Sequence, residues 1–251
     1  MTVRGFIGKW CAIDDHETLS ATKKHKKRKG IPSHAAMTQL DSQFDYWNTE
    51  GTRKSFGHPL NLKRLSQWLS PESRILDFGC GYGRCLGELF ASGYRNVVGF
   101  DFSPAMIAAA RARFPEITFQ AVQSSAIPLS DSSVDVSLLF SVLTCVPTND
   151  GQRAIVGELR RVLKPGGLLY ISDLWLQPDE RNLTRYARDE PKYGMYGVFD
   201  LPEGVTVRHH DPRWIETLTR DFEMVALDQI EVLTMNGNPA KAFQWFGSKP
   251  A

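Results

Sequence analysis

The residues of this chain best suited to chemistry lie in one short stretch. Gly79-Cys80-Gly81-Tyr82-Gly83 follows the apolar run Arg74-Ile75-Leu76-Asp77-Phe78 and precedes a helix-forming segment through about Ala91. Glycines at such a turn carry no Cβ, so backbone N–H groups and a helix N-terminus can approach an anionic or zwitterionic ligand. A second apolar run, 96–102, brings Asp101 to its end about twenty residues further on, where a carboxylate can accept from both hydroxyls of a ribose. Gly79, Gly81, Gly83 and Asp101 together predict a nucleoside-bearing cofactor. A nicotinamide fingerprint needs a further glycine where this chain has Arg84, which disfavours an oxidoreductase. The second chemical candidate is the pair His209-His210, ending VTVRHH. Alternation puts Val205, Val207 and His209 on one strand face and Thr206, Arg208 and His210 on the other, so His209 is expected to face a pocket as a general base.

The elements that position these residues follow a regular rhythm. Strands are expected at 74–78, 96–102, 117–122, 134–140 and 168–174, with helices between them. Ser103-Pro104 and Asp211-Pro212 read as N-caps followed by a first helical proline, and Asp150 as a helix-cap residue. Pro59 is expected to open a helix over 59–69, after a short one over 41–48. Lys164-Pro165-Gly166-Gly167 reads as a turn. Strand–helix alternation predicts an α/β fold, a doubly wound three-layer sandwich with a parallel sheet. Past Leu174 the rhythm breaks into an insert, 175–210, with a hairpin near 196–210. Asn236-Gly237-Asn238-Pro239 then joins two β-rich segments as an antiparallel C-terminal hairpin.

ILDFGCGYGR, VVGFDFSPAMI, IPLSDSSVDVSLLFSVL and ELRRVLKPGGLLYISD, in this order, resemble the class I S-adenosylmethionine-dependent methyltransferases of small-molecule type over residues 59–174. The resemblance implies a mostly parallel seven-stranded sheet and S-adenosylmethionine as cofactor, with S-adenosylhomocysteine as product and no metal. It implies that Asp77 and the backbone of Gly79, Gly81 and Gly83 hold the methionine portion. Asp101 would take the ribose, Phe102 and Met106 the adenine, and Phe140, Ser141 and Val142 would line the cofactor beside the reacting methyl. Gln123 and Ser124 stand where an Asp-Ala pair usually contacts the adenine amino group. Asp135 reads as a strand-start residue. The N-terminal helices and the insert would supply the acceptor pocket, with Tyr46, Trp47, Tyr193, Tyr196, His209 and His210 as its candidates and Trp175, Tyr186 and Phe199 among the other aromatics. Such a pocket suits a small, partly apolar acceptor. No Asn/Asp-Pro-Pro-Tyr/Phe follows the fourth strand, and Cys145 reads as a buried small hydrophobe.

The 251 residues are 42% hydrophobic and 23% charged, which excludes fibrous and wholly disordered classes. No apolar run reaches bilayer length and no secretion signal is recognised, so a cytoplasmic protein is expected, with four scattered cysteines and no disulfide framework. Positive charge concentrates in Lys23-Lys24-His25-Lys26-Lys27-Arg28-Lys29, and residues 1–36 are expected to be a disordered basic extension before a single domain over 37–251. The remaining body is mildly acidic, which disfavours nucleic acid as the acceptor. A nucleic-acid or protein methyltransferase and a non-catalytic cofactor-binding partner remain the alternatives, and self-association is left open.

Overall fold

The computed structural model of the protein describes residue 41 and residues 43–251. The basic run at 23–29 and the expected extension over 1–36 lie outside the described residues. Seven strands build the central sheet in the order β3-β2-β1-β4-β5-β9-β8. They are β1 Ile75–Phe78, β2 Val97–Asp101, β3 Thr118–Ala121, β4 Val134–Phe140, β5 Leu163–Leu174, β8 Glu223–Leu233 and β9 Pro239–Ser248. β1 to β5 pair in parallel, whereas β9 runs antiparallel to both β5 and β8. This is the expected doubly wound sheet with its antiparallel C-terminal hairpin. Because the chain steps outward through β2 and β3 and returns to place β4 beside β1, the switch point lies between β1 and β4. Ligand crevices of open α/β sheets form there, at the carboxyl ends of the strands.

Strand periodicity decides what each layer buries. Ile75 packs on one face with Leu86 and Leu89 of α3 (Arg84–Ala91), while Leu76 and Phe78 pack on the other with Ile155 and Leu159 of α5 (Asn149–Val162). Both faces of β1 are therefore apolar, and each such side chain contributes about 1.5–3 kcal/mol on burial. α4 (Pro104–Arg113) begins at Ser103, whose Oγ accepts from the Met106 N–H at 3.1 Å, and α7 (Pro212–Leu218) begins at Asp211 in the same manner. Among the described residues no helix is long and apolar enough to cross a membrane.

Three boundaries differ from expectation. Pro59 does not open a helix. Asn61 caps the single turn of α2 (Leu62–Leu65) by accepting from the Arg64 N–H at 3.1 Å, and that satisfied donor sets the start. β5 starts at Leu163, ahead of the expected 168, with Lys164–Gly167 bulging out of register as a turn at Gly166 (φ +75°), its Gly166 N–H donating to the Lys249 carbonyl at 2.8 Å and Lys249 N–H to that of Gly167 at 2.9 Å. Thr148, not Asp150, caps α5, its hydroxyl accepting from Gly151 N–H at 3.0 Å.

The insert consists of α6 (Glu180–Tyr193) and the hairpin β6 (Val198–Asp200) and β7 (Thr206–Arg208). Gln43, ahead of α1 (Phe44–Asn48), ties it down. Its Nε2 donates to the carbonyls of Thr206 (2.7 Å) and Cys145 (3.1 Å), and its Oε1 accepts from Thr206 N–H at 2.6 Å. One side chain thus acts as a neighbouring strand for β7.

Candidate functional site

A cavity of about 810 Å³ opens at the β1–β4 switch point. Gly79, at φ +74°, forms its floor, where a Cβ would stand 2.3 Å from Val142 Cγ2; only glycine fits there. Gly81, at φ +52°, faces open space. Its N–H donates to Asp101 Oδ2 at 2.8 Å and Ser103 N–H donates to Oδ1 at 2.8 Å, so the carboxylate at the end of β2 fixes the turn after β1. Burial raises the Asp101 pKa, opposed by the backbone donors of Ser103, Gly81 and Phe102. Asp77 is buried, and its Oδ1 finds no partner among the described residues. Burial pushes its pKa up to about 7, against the Arg84 charge that lowers it and with Asp101 raising it further. An orphaned carboxylate oxygen at a cavity wall calls for a cation, and the methionine portion of S-adenosylmethionine carries an ammonium. The glycine cradle and the paired acids therefore fit that cofactor.

Asp77, Gly79, Gly81, Asp101, Phe102, Met106, Phe140, Ser141 and Val142 all line this cavity, together with Trp47. Gly83, Gln123 and Ser124 do not. Gly83 caps α3 and lets it pack against Phe119, since a Cβ there would lie 2.7 Å from Phe119 Cζ. Gln123 is exposed and Ser124 is occupied in accepting from Ala126 N–H, so neither reaches the cofactor cavity. Arg84 Nη2 donates to the His58 carbonyl at 2.5 Å and binds the N-terminal segment to the turn.

A second cavity of about 720 Å³ shares Phe56, Ser141 and Cys145 with the first. Ser141 sits at φ +56°, an unusual backbone for a non-glycine residue, at the end of β4 between the two spaces. Leu174, Phe199, Leu201, Val207 and Met235 give this second space an apolar wall, and His58, His209, Arg181 and Arg185 give it its nitrogen groups. His209 does lie on the Val207 face. Burial, then the Arg185 charge, lowers its pKa to about 3. Tyr186 Oη accepts from Gln177 N–H at 3.0 Å and is hydrogen-bonded to His209 Nδ1 at 2.5 Å, which fixes the orientation of the neutral ring. His58 is likewise held neutral, its pKa lowered to about 4 by burial and by Arg84, with Nδ1 2.9 Å from Ser172 Oγ.

The remaining expected pocket residues stand elsewhere. His210 is fully buried, its Nδ1 3.1 Å from the Leu174 carbonyl and its Nε2 3.1 Å from Gln152 Nε2, so it braces the sheet against α5. Tyr193 donates to Asp200 and Tyr196 is 43% exposed; neither lines either of these two cavities. Tyr46 packs against Trp47 in the apolar cluster under the insert, and Trp47 reaches the cofactor cavity instead. Tyr186 is buried against Phe199, whereas Trp175 is buried against the sheet, stacked on Phe243. Sequence reasoning missed His58, Arg181, Asn182 and Arg185. The i, i+4 spacing of the two arginines was a visible signal, but His58 lies in a segment without periodicity. Cys145, read as buried, borders both cavities as a protonated thiol, because burial raises its pKa.

A seven-stranded sheet of this order, with a glycine turn after β1 and an acid ending β2, defines a Rossmann-like nucleoside-cofactor fold. The family model described as a methyltransferase domain matches residues 75–167. An uncharacterized methyltransferase of Mycobacterium tuberculosis is 36% identical over 172 residues, covering 65% of this chain and 67% of that protein. Mouse EEF1A lysine methyltransferase 4 is 30% identical over 148 residues, 50% of this chain and 58% of its own length. The crystal structure of an S-adenosylmethionine-dependent methyltransferase from Methanosarcina mazei superposes with a TM-score of 0.71 at 27% identity, covering 74% of this chain and 97% of the other. The chain belongs to the class I S-adenosylmethionine-dependent methyltransferases. Several curated relatives are matched over only 37% to 58% of their own length.

Proposed function

We propose that this protein transfers a methyl group from S-adenosylmethionine to a small-molecule acceptor held in the 720 Å³ cavity. The observation that carries this reading is the shared wall. Phe56, Ser141 and Cys145 border both spaces, so an acceptor in one lies against a cofactor in the other. When bound, S-adenosylmethionine supplies an electrophilic methyl on a good leaving group, so the chain's task is to align and desolvate the acceptor. The apolar wall of Leu174, Phe199, Leu201 and Val207 excludes water from the acceptor. With its pKa lowered to about 3, His209 is a neutral ring that orients the acceptor through a hydrogen bond rather than removing a proton. Asp77 holds the cofactor's ammonium, and Asp101 accepts from its ribose.

The pocket's closure favours a small acceptor over a side chain presented by a folded protein. Lys54 Nζ donates to Glu203 Oε1 at 3.1 Å and to Asn236 Oδ1 at 2.6 Å, which latches the insert to the β8–β9 turn across the rim formed by Asn236 and Asn238. The test is incubation with methyl-labelled cofactor and, separately, a metabolite extract, lysine-bearing protein and RNA. Label is expected in the metabolite fraction. Label in protein or RNA alone overturns the reading.

A further inference from the structure

The acceptor cavity carries a charge pattern without an internal counterpart. Arg181 and Arg185 line it, and no Asp or Glu does. Both arginines come from α6, where i, i+4 spacing puts them on one helix face with Asn182 between. The ion pairs of this helix leave Arg185 out. Asp179 Oδ1 stands 3.8 Å from Arg181 Nε, and Asp189 pairs with Arg188. Arg185 forms no ion pair with any described residue. Its Nη1 reaches Asn182 Oδ1 at 3.4 Å, and its guanidinium lies 5.5 Å from the centre of the Phe199 ring. Burial, then the Arg181 and Arg188 charges, lowers the Arg185 pKa, opposed more weakly by the Asp179 and Glu203 charges. The two histidines of the cavity, both neutral, add no charge and no counter-ion.

A half-buried guanidinium beside a second one, with an apolar wall and no acid in the lining, fits an anionic group on an apolar body. We propose that the acceptor is an amphipathic organic carboxylate, its anionic group held by Arg185 with Arg181 and its apolar body lying along Phe199, Leu201 and Val207. A guanidinium fork matches a carboxylate through two parallel hydrogen bonds, and an anion there relieves the repulsion between the arginines. The residues that border the cofactor cavity, Phe56, Ser141 and Cys145, belong to other elements than α6. The carboxylate is accordingly an anchor, and the atom that accepts the methyl is a separate group of the same molecule. An ammonium would meet two like charges and no acid in the lining, which disfavours lysine and free amines as occupants.

This inference rests on the second cavity being the acceptor site, and its test reads binding rather than turnover. Calorimetry with the S-adenosylhomocysteine complex compares three apolar bodies, decyl, phenylpropyl and naphthyl, each as carboxylate, amide and amine. The expected result is that at least one carboxylate binds about 10- to 100-fold more tightly than its amide and that every amine binds worse than its amide. Arg185→Gln should bring the carboxylate-to-amide ratio close to one, and Arg181→Gln, at an exposed position, should reduce it severalfold. S-adenosylhomocysteine affinity and melting temperature, unchanged in both variants, establish that the loss is local. No carboxylate preference on any body, whether from equal binding or from none, overturns the proposal. A preference that survives in both variants overturns it as well. The labelling experiment reads separately: label in neutral metabolites without carboxylate preference refutes the anion anchor alone, and label in protein or RNA alone refutes the small-molecule reading beneath it.

Discussion

Replacing Asp77 by asparagine separates the stability of the empty fold from its affinity for cofactor. The carboxyl is buried, with Oδ1 unpartnered among the described residues and its pKa raised by burial from 3.8 to about 7. A folded-state pKa above the unfolded one means that stability falls as pH climbs from about 4 to about 7 and is level beyond. About three pH units at 1.36 kcal/mol each sets a ceiling of roughly 4 kcal/mol on that loss. Asparagine resembles the protonated acid, so the empty Asp77→Asn protein should melt higher than wild type at pH 8 and at about the same temperature at pH 4.5. Cofactor binding runs in the opposite sense. The ammonium requires the ionised carboxylate, so wild-type affinity for S-adenosylhomocysteine should rise by up to tenfold per unit below pH 7 and then level off. In Asp77→Asn that slope should vanish, and affinity at pH 8 should fall about 10- to 100-fold, the value of a charge-assisted hydrogen bond of about 1.5–3 kcal/mol. Asp101→Asn provides the control, because ribose hydroxyls are neutral and the slope should persist. Titration calorimetry from pH 5.5 to 8.5 measures all three proteins. A flat wild-type profile, or undiminished binding by Asp77→Asn, refutes the assignment of Asp77.

His209→Ala should lower kcat/KM mainly through acceptor affinity, equally from pH 5.5 to 8.5, with S-adenosylhomocysteine binding intact. A defect confined to low or high pH in the pH–rate profile would restore the general-base role. His210→Ala, which removes the ring contacts to the Leu174 carbonyl and Gln152 Nε2 and leaves a void at a fully buried position, should cost roughly 2–4 kcal/mol in thermal denaturation while cofactor affinity of the folded fraction stays unchanged. Gly79→Ala, strained at φ +74° and set against Val142, should lose about 1–3 kcal/mol of stability and weaken S-adenosylhomocysteine binding more than tenfold in calorimetry.

The cavity proposed for the cofactor was legible because it is local. A strand, a glycine turn, a helix and an acid at the next strand end are all encoded within Ile75–Asp101, and backbone geometry alone brings Asp77, Gly79, Gly81 and Asp101 to one cavity. The sheet was legible for the same reason, since apolar runs spaced by helices admit few topologies. The alternation that put His209 with Val207 also held, because strand period is a property of the backbone. What tertiary structure decided is the acceptor side, where every assignment depends on long-range pairing. His58 meets Ser172, Gln43 meets Thr206, and Lys54 meets Asn236, each across more than a hundred residues of sequence. No periodicity reports such meetings. Aromatic composition pointed to Tyr193, Tyr196 and His210, yet hydrogen bonding and packing draw Tyr193 and His210 into the scaffold and leave Tyr196 at the surface. Nor did sequence set the protonation of His209. An imidazole in solution titrates near neutrality, and only burial, then the Arg185 charge, keeps this ring neutral.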